Sequence, residues 1–171
     1  NIEHTSHSGN LVATSGPATI SSSIRVHWNP HLKSFTAPSL THIVGDYHVH
    51  DNPLLEVIDT PTLTEIGSSV QLFNNGTPGS FSPNLPTLAT IGGTVDVYEN
   101  PGLETLHLDA LTSVGEGVNI YNNPSLSSLS GDALLSVDQF FIVSHNPVLP
   151  SFSFSSLEEV PGRCKRNIPA N

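Results

Sequence analysis

This 171-residue chain has little charge, and almost none of it is positive: 12% of residues are charged, with 15 Asp and Glu against 5 Lys and Arg. Three of those five, Arg163, Lys165 and Arg166, stand together at the C-terminus, so residues 1–162 set every acid against Arg25 and Lys33 alone. Nucleic acid and anionic membrane surfaces are recognised by basic patches that displace counterions, and the body of this chain has none. The shortage of Glu, Lys and Arg also argues against long amphipathic helices, whose outer faces are built from them. No apolar run approaches the roughly 18 residues needed to cross a bilayer as a helix. Met is absent altogether, so the first residue reads as the product of processing or excision, with a removed signal peptide as one route. The one cysteine, Cys164, has no internal partner, which leaves a free thiol or a bridge to a second chain or module. The length suits one domain that buries roughly two-thirds of its surface.

What the chain has instead is a repeat. Asn-Pro recurs at Asn29-Pro30, Asn52-Pro53, Asn100-Pro101, Asn123-Pro124 and Asn146-Pro147, with Asn75-Gly76 in the remaining slot, so successive Asn residues are 23, 23, 25, 23 and 23 apart. In the same phase come Leu32, Leu55, Leu103, Leu126 and Leu149, three residues after each Asn-Pro asparagine, and Phe35, Ile58, Phe81, Leu106, Leu129 and Phe152, six after every asparagine. A further apolar pair follows in each unit, as at Leu63 and Ile66 or Leu111 and Val114. The two extra residues of the third unit fall in a Pro/Ser/Asn stretch between Phe81 and Leu88, a loop composition.

Ahead of each Asn lies a run of period two, such as Val95-Asp96-Val97-Tyr98, the pattern of a half-buried strand. One strand per 23 residues makes no sheet by itself, but stacked units make a parallel sheet advancing about 4.8 Å per coil over a continuous core. The expected fold is all-β: a β-solenoid of about six 23-residue coils over residues 20–160. Residues 1–19 form an N-terminal cap or degenerate coil, and 161–171 a C-terminal cap or tail that leaves the pattern after Val160. Recurrent Asn is expected to form a ladder in which each amide satisfies the turn of the next coil, with independent surface turns as the alternative.

The unit Leu-x-x-Ile-Gly-Gly-x-Val-x-Val-x-x-Asn-Pro-x-Leu-x-x-Leu, read over 88–106, resembles the receptor L-domain repeat. That family includes ligand-binding domains of insulin-type and epidermal-growth-factor-type receptors, lipid-anchored fungal cell-wall glycoproteins and bacterial surface proteins. The resemblance covers about residues 20–160 and implies a right-handed solenoid of leucine-rich type, secreted or on the cell surface, acting by binding and without catalysis. Receptor L domains are commonly flanked by cysteines, whereas only Cys164 is present here, which favours a bacterial or fungal relative.

Residues between the inward strand positions face outward, and one outward column reads His27, His50, Phe73, Tyr98, Tyr121. Such a stripe either packs against itself or presents an amphipathic surface to a protein or glycan. The expected ligand-binding set is His50, Phe73, Tyr98 and Tyr121, with His48, Asp96 and Asn119 supplying polar contacts. No cofactor is expected. His27, His48 and His50 are the candidates for a metal, with Asp51 or His31 as a further ligand, though no motif of metal-site spacing supports them. Asn75-Gly76-Thr77 is a glycosylation sequon. Trp28, the one tryptophan, is either a ligand anchor or a lid on the sheet edge.

Three other functions compete with recognition. The module can be a spacer in a larger surface protein. It can bind ice through Thr41, Thr64, Thr90 and Thr112, although His42, Glu65, Glu158 and Glu159 interrupt that flank. Least favoured is a β-helix polysaccharide-degrading enzyme, which needs clustered carboxylates where the central strands offer only Asp96.

Overall fold

The computed structural model describes residues 2–3, 9–12, 18–158 and 160–165, without the side chains of 2–3, 12 and 163–165. Among the described residues there is no helix, and every strand pairing is parallel. The chain winds as a β-solenoid of about six coils with three strand-bearing faces. The longest sheet runs in sequence order through Ile2–Glu3, Ile24–His27, Tyr47–Asn52, Val70–Asn75, Val95–Tyr98, Gly117–Tyr121, Phe140–Ser144 and Arg163–Lys165. A second face carries Gly9–Val12, Leu32–Thr36, Val57–Asp59 and Ser82–Asn84, continued by the pair Thr105–His107 and Ser128–Ser130. The third is a row of two-residue strands from Thr19–Ile20 to Ser136–Val137.

The corners follow from turn chemistry. The amide N–H of Leu32, Leu55, Leu103, Leu126 and Leu149 donates to the carbonyl of the Asn three residues earlier, closing a β-turn whose second position is Pro in each case. Pro suits that position because its φ is already set near −65°. The corner between the second and third faces repeats the device, with Leu40 closing on Ala37 and Leu63 on Thr60 around Pro38 and Pro61. At the remaining corner Gly67, Gly92 and Gly115 stack so closely that a Cβ on Gly92 would run into the carbonyl of Gly67.

Inside, the columns read from the sequence form one core: Val26, Val49, Leu72, Val97, Ile120 and Val143 are buried, as are Leu55, Leu103 and Leu126. Cutting Leu126 back to Ala would cost about 2–5 kcal/mol in lost burial and cavity formation. Tyr47 is the exception in kind, fully buried with a hydroxyl that has no hydrogen-bond partner.

The Asn column is a ladder. All six residues, Asn29, Asn52, Asn75, Asn100, Asn123 and Asn146, are fully buried. Asn123 donates its backbone N–H (2.9 Å) and a side-chain N–H (3.3 Å) to Oδ1 of Asn146. The same amide donates to the carbonyls of Val97 in the preceding coil (3.0 Å) and Tyr121 in its own (3.1 Å). Independent surface turns are thereby excluded. Just before each Asn the chain takes left-handed φ values of 52–55°, at Trp28, Asp51, Asn74, Glu99, Asn122 and His145.

Two expectations change. The C-terminal segment does not leave the pattern at Val160, because the backbone of Arg163–Lys165 pairs with Phe140–Ile142 at the same 23-residue offset. At the other end the backbone at 2–3, 9–12 and 19–20 pairs with the coil that follows it, as a degenerate coil does. Cys164 takes the register position of Phe141, and its thiol lies outside the described residues, as do most of 1–17, Glu159 and 166–171. Finally, Thr90 is not in the column of Thr41, Thr64 and Thr112: it registers with Glu65 and Ser113, while Ala89 bonds between Thr64 and Thr112.

Candidate functional site

The outward column of the long sheet is a continuous stack of rings. His27 and His50 lie 4.7 Å apart and 10° from parallel, His50 and Phe73 4.3 Å and 6°, Phe73 and Tyr98 4.8 Å and 5°, Tyr98 and Tyr121 4.9 Å and 7°. Parallel pairing in strict register puts each ring one strand spacing from the next, close to the thickness of two π-faces. The stack ends at Tyr121, whose register partner in the next coil is Ser144, a residue with no ring.

This geometry alters what the stripe can offer. Each inner ring spends both faces on its neighbours, so what faces solvent is a row of edges, including the hydroxyls of Tyr98 and Tyr121. Burial foremost, with nearby negative charge, raises the pKa of both phenols, keeping them as donors at neutral pH. His27 is itself buried beneath the edges of Trp28 (4.6 Å, 79°) and the stacked His50. Trp28 is therefore a lid on the stack, and it is also 48% exposed, so it retains an open surface.

The parallel outward column is polar and largely self-satisfied. Asp46 accepts from Ser23 Oγ and Arg25, both at 3.3 Å, with His48 Nε2 4.0 Å away. A hydrogen bond from Ser68 is the main reason that the Asp46 carboxyl is held below its ordinary pKa. Burial lowers the pKa of His48 and outweighs the opposing pull of Asp46. Asp96 accepts from Thr94 Oγ1 at 2.7 Å and Asn119 Nδ2 at 3.5 Å. The expected polar contacts His48, Asp96 and Asn119 thus sit beside the rings, with Asp96 and Asn119 bonded to each other.

The imidazoles do not converge as a metal site would require. His27 and His50 are stacked face to face, which sends their nitrogen lone pairs along parallel planes, and His48 belongs to the other column beside Asp46. His31 is exposed in the Asn29–Leu32 turn. Among the described residues no group of three His, Cys, Asp or Glu is placed to hold an ion. The sequon also fails as a glycan site in the folded chain. The amide nitrogen of Asn75 is buried and donates to Val49 O (2.8 Å) and Asn100 Oδ1 (3.2 Å), leaving no path for a sugar.

Sequence reasoning missed the corner column of left-handed residues that borders the rings. There Asp51 accepts from His50 Nδ1 and from Asn74 Nδ2, each at 2.9 Å. Burial opposes its ionisation, but these bonds, with one from the Trp28 side chain, prevail and hold its pKa below the ordinary value. The visible signal was the tolerance of Asp and Asn for positive φ at three of the six positions. Comparison with models of protein families, with curated proteins and with solved structures finds no match for this chain.

Proposed function

We propose that this solenoid is a non-catalytic recognition module of the cell exterior, which binds a protein or glycan through the outer face of its long sheet. The observation that carries this reading is the five-ring stack, which holds two phenol hydroxyls and a flanking polar column at fixed 4.3–4.9 Å intervals on a rigid scaffold. Amphipathic aromatics held without conformational freedom suit contact surfaces because little entropy is lost on binding. The carboxylates of that face, Asp46, Asp51 and Asp96, each already accept two or more hydrogen bonds, an arrangement that suits orientation better than proton transfer.

A spacer role is the second reading, favoured by the same stack, since rings that cover one another are also good mortar between coils. The two are separated by screening the purified chain against glycan arrays, protein libraries and intact cells, with Tyr121→Ala and a chelator as parallel arms. Recognition through this face predicts binding that is lost in Tyr121→Ala and indifferent to chelator. Absence of any binding would leave the spacer, and equal binding by the variant would move recognition away from this face.

A further inference from the structure

At the N-terminal end of the ring stack, Trp28, Pro30, Asp51 and Pro53 line an open pocket of about 510 Å³. Three of its four walls are apolar side chains and the fourth is a carboxylate. Neither arm is loose: the Trp28 ring stands edge-on to His27 and to His50 (6.2 Å, 89°), and Asp51 is gripped by His50 and Asn74 at 2.9 Å. Trp28 takes a left-handed φ of 55°, a conformation uncommon for a bulky residue. Polar residues occupy the same position in the other coils, so this is the one place where the corner column exposes a large apolar surface.

We propose that this pocket receives a lysine or arginine side chain of a partner protein, its aliphatic stem against Pro30 and Pro53 and its cationic head on the face of the Trp28 indole, beside the Asp51 carboxylate that the indole edge contacts. The inference rests on the recognition reading above and narrows its ligand from protein or glycan to a basic segment of protein. Indole is the strongest of the natural cation–π faces, and long cationic side chains bury their stems along apolar walls while the head stays at the charge.

Hydrogen-bond capacity decides between a cation and a sugar. A carboxylate has about four lone-pair sites, and His50, Asn74 and the Trp28 side chain already take three at Asp51. What remains is too little to grip a pair of sugar hydroxyls, while the negative charge is undiminished. The net charge of −10 draws a basic partner from a distance, and Glu99, two coils along the same column, offers a second carboxylate to a neighbouring basic residue.

Trp28 is the only tryptophan, so its fluorescence reports on this pocket alone. The test titrates the chain with acetyl-Gly-Lys-Gly-amide and its Arg counterpart, against acetyl-Gly-norleucine-Gly-amide and methyl glucoside, for wild type, Asp51→Asn and the remote exposed Glu65→Gln. Asp51→Asn keeps the backbone conformation, since Asn74 holds it one coil away. The expected result is a saturable change with the Lys and Arg peptides only, weakened about tenfold in Asp51→Asn and unchanged in Glu65→Gln. An equal response to norleucine or methyl glucoside would overturn the proposal, as would Lys affinity indifferent to Asp51. If the peptides are silent while the chain still binds in the wider screen and Tyr121→Ala abolishes that binding, the pocket proposal fails and the sheet-face reading stands. If the peptides bind as expected and Tyr121→Ala binds like wild type, the reverse holds.

Discussion

Asn100 donates both its backbone N–H, at 3.1 Å, and its side-chain N–H, at 3.2 Å, to the Oδ1 of Asn123 one coil away. A buried amide thus replaces the strand-to-strand bond that the turn would otherwise forfeit. Asn100→Ala leaves the carbonyls of Leu72 and Tyr98 without the Asn100 side-chain donor, and takes the Asn100 Oδ1 acceptor from the backbone and side-chain N–H groups of Asn75. Loss of stability should be about 2–4 kcal/mol by urea unfolding, and hydrogen exchange should speed up in the adjacent coils first, as expected of a one-dimensional stack.

Asn75 should carry no glycan in the folded protein, despite its sequon. Chain produced in a glycosylating eukaryotic host and purified in folded form should show no mass shift on glycosidase treatment. A glycan found at Asn75 on protein with native circular dichroism would contradict the ladder at that coil.

Tyr47 offers the opposite kind of test. Its hydroxyl is buried without a partner, so Tyr47→Phe removes a desolvated polar group while leaving the ring against Phe35. The variant should unfold at higher urea concentration, with a gain of about 1 kcal/mol. A loss of similar size would mean that the hydroxyl has a partner after all.

Acid should destabilise the chain in two stages. His48 binds its proton more weakly when folded, because burial disfavours the charged imidazole, so stability is full above its ordinary value of 6.5 and falls as pH drops below it. Asp46 and Asp51 have lowered folded pKa values, so their contribution is present above about pH 4 and is lost as pH falls through those folded values. Urea midpoints measured from pH 8 to 3 should show both declines, and His48→Gln should remove the first only.

Much of this was legible because a solenoid repeats its evidence. Phased Asn and Leu gave the coil length, the inward columns and the ladder, and the alternation at Val95–Tyr98 placed the rings on one side. Burial of Asn75 is equally implied by its phase, since the ladder claims the amide that the sequon would offer to a glycan. Thr90 was misplaced by one residue, since Leu88 sets the phase and puts Ala89 in the Thr column. The left-handed corner is hidden because Trp28 and Glu99 are residue types that rarely mark positive φ. Backbone pairing at 163–165 is hidden because that segment lacks the Asn-Pro landmark. Ring orientation is invisible to spacing: a stripe at 4.8 Å intervals can lie flat or stand on edge, and here it stacks. Tyr98 is consequently a double-sided packing residue, so Tyr98→Ala costs stability as well as any binding, and Tyr121, covered on one face, is the cleaner probe.

The most direct test of recognition through this face leaves the stack in place and removes only its outward hydroxyls. The double variant Tyr98→Phe, Tyr121→Phe keeps both rings, so its thermal midpoint should match wild type within about 2 °C, while its affinity for whichever ligand the screen returns should fall about tenfold or more. Wild-type affinity at wild-type stability would contradict the account and return the ring stack to a purely structural role.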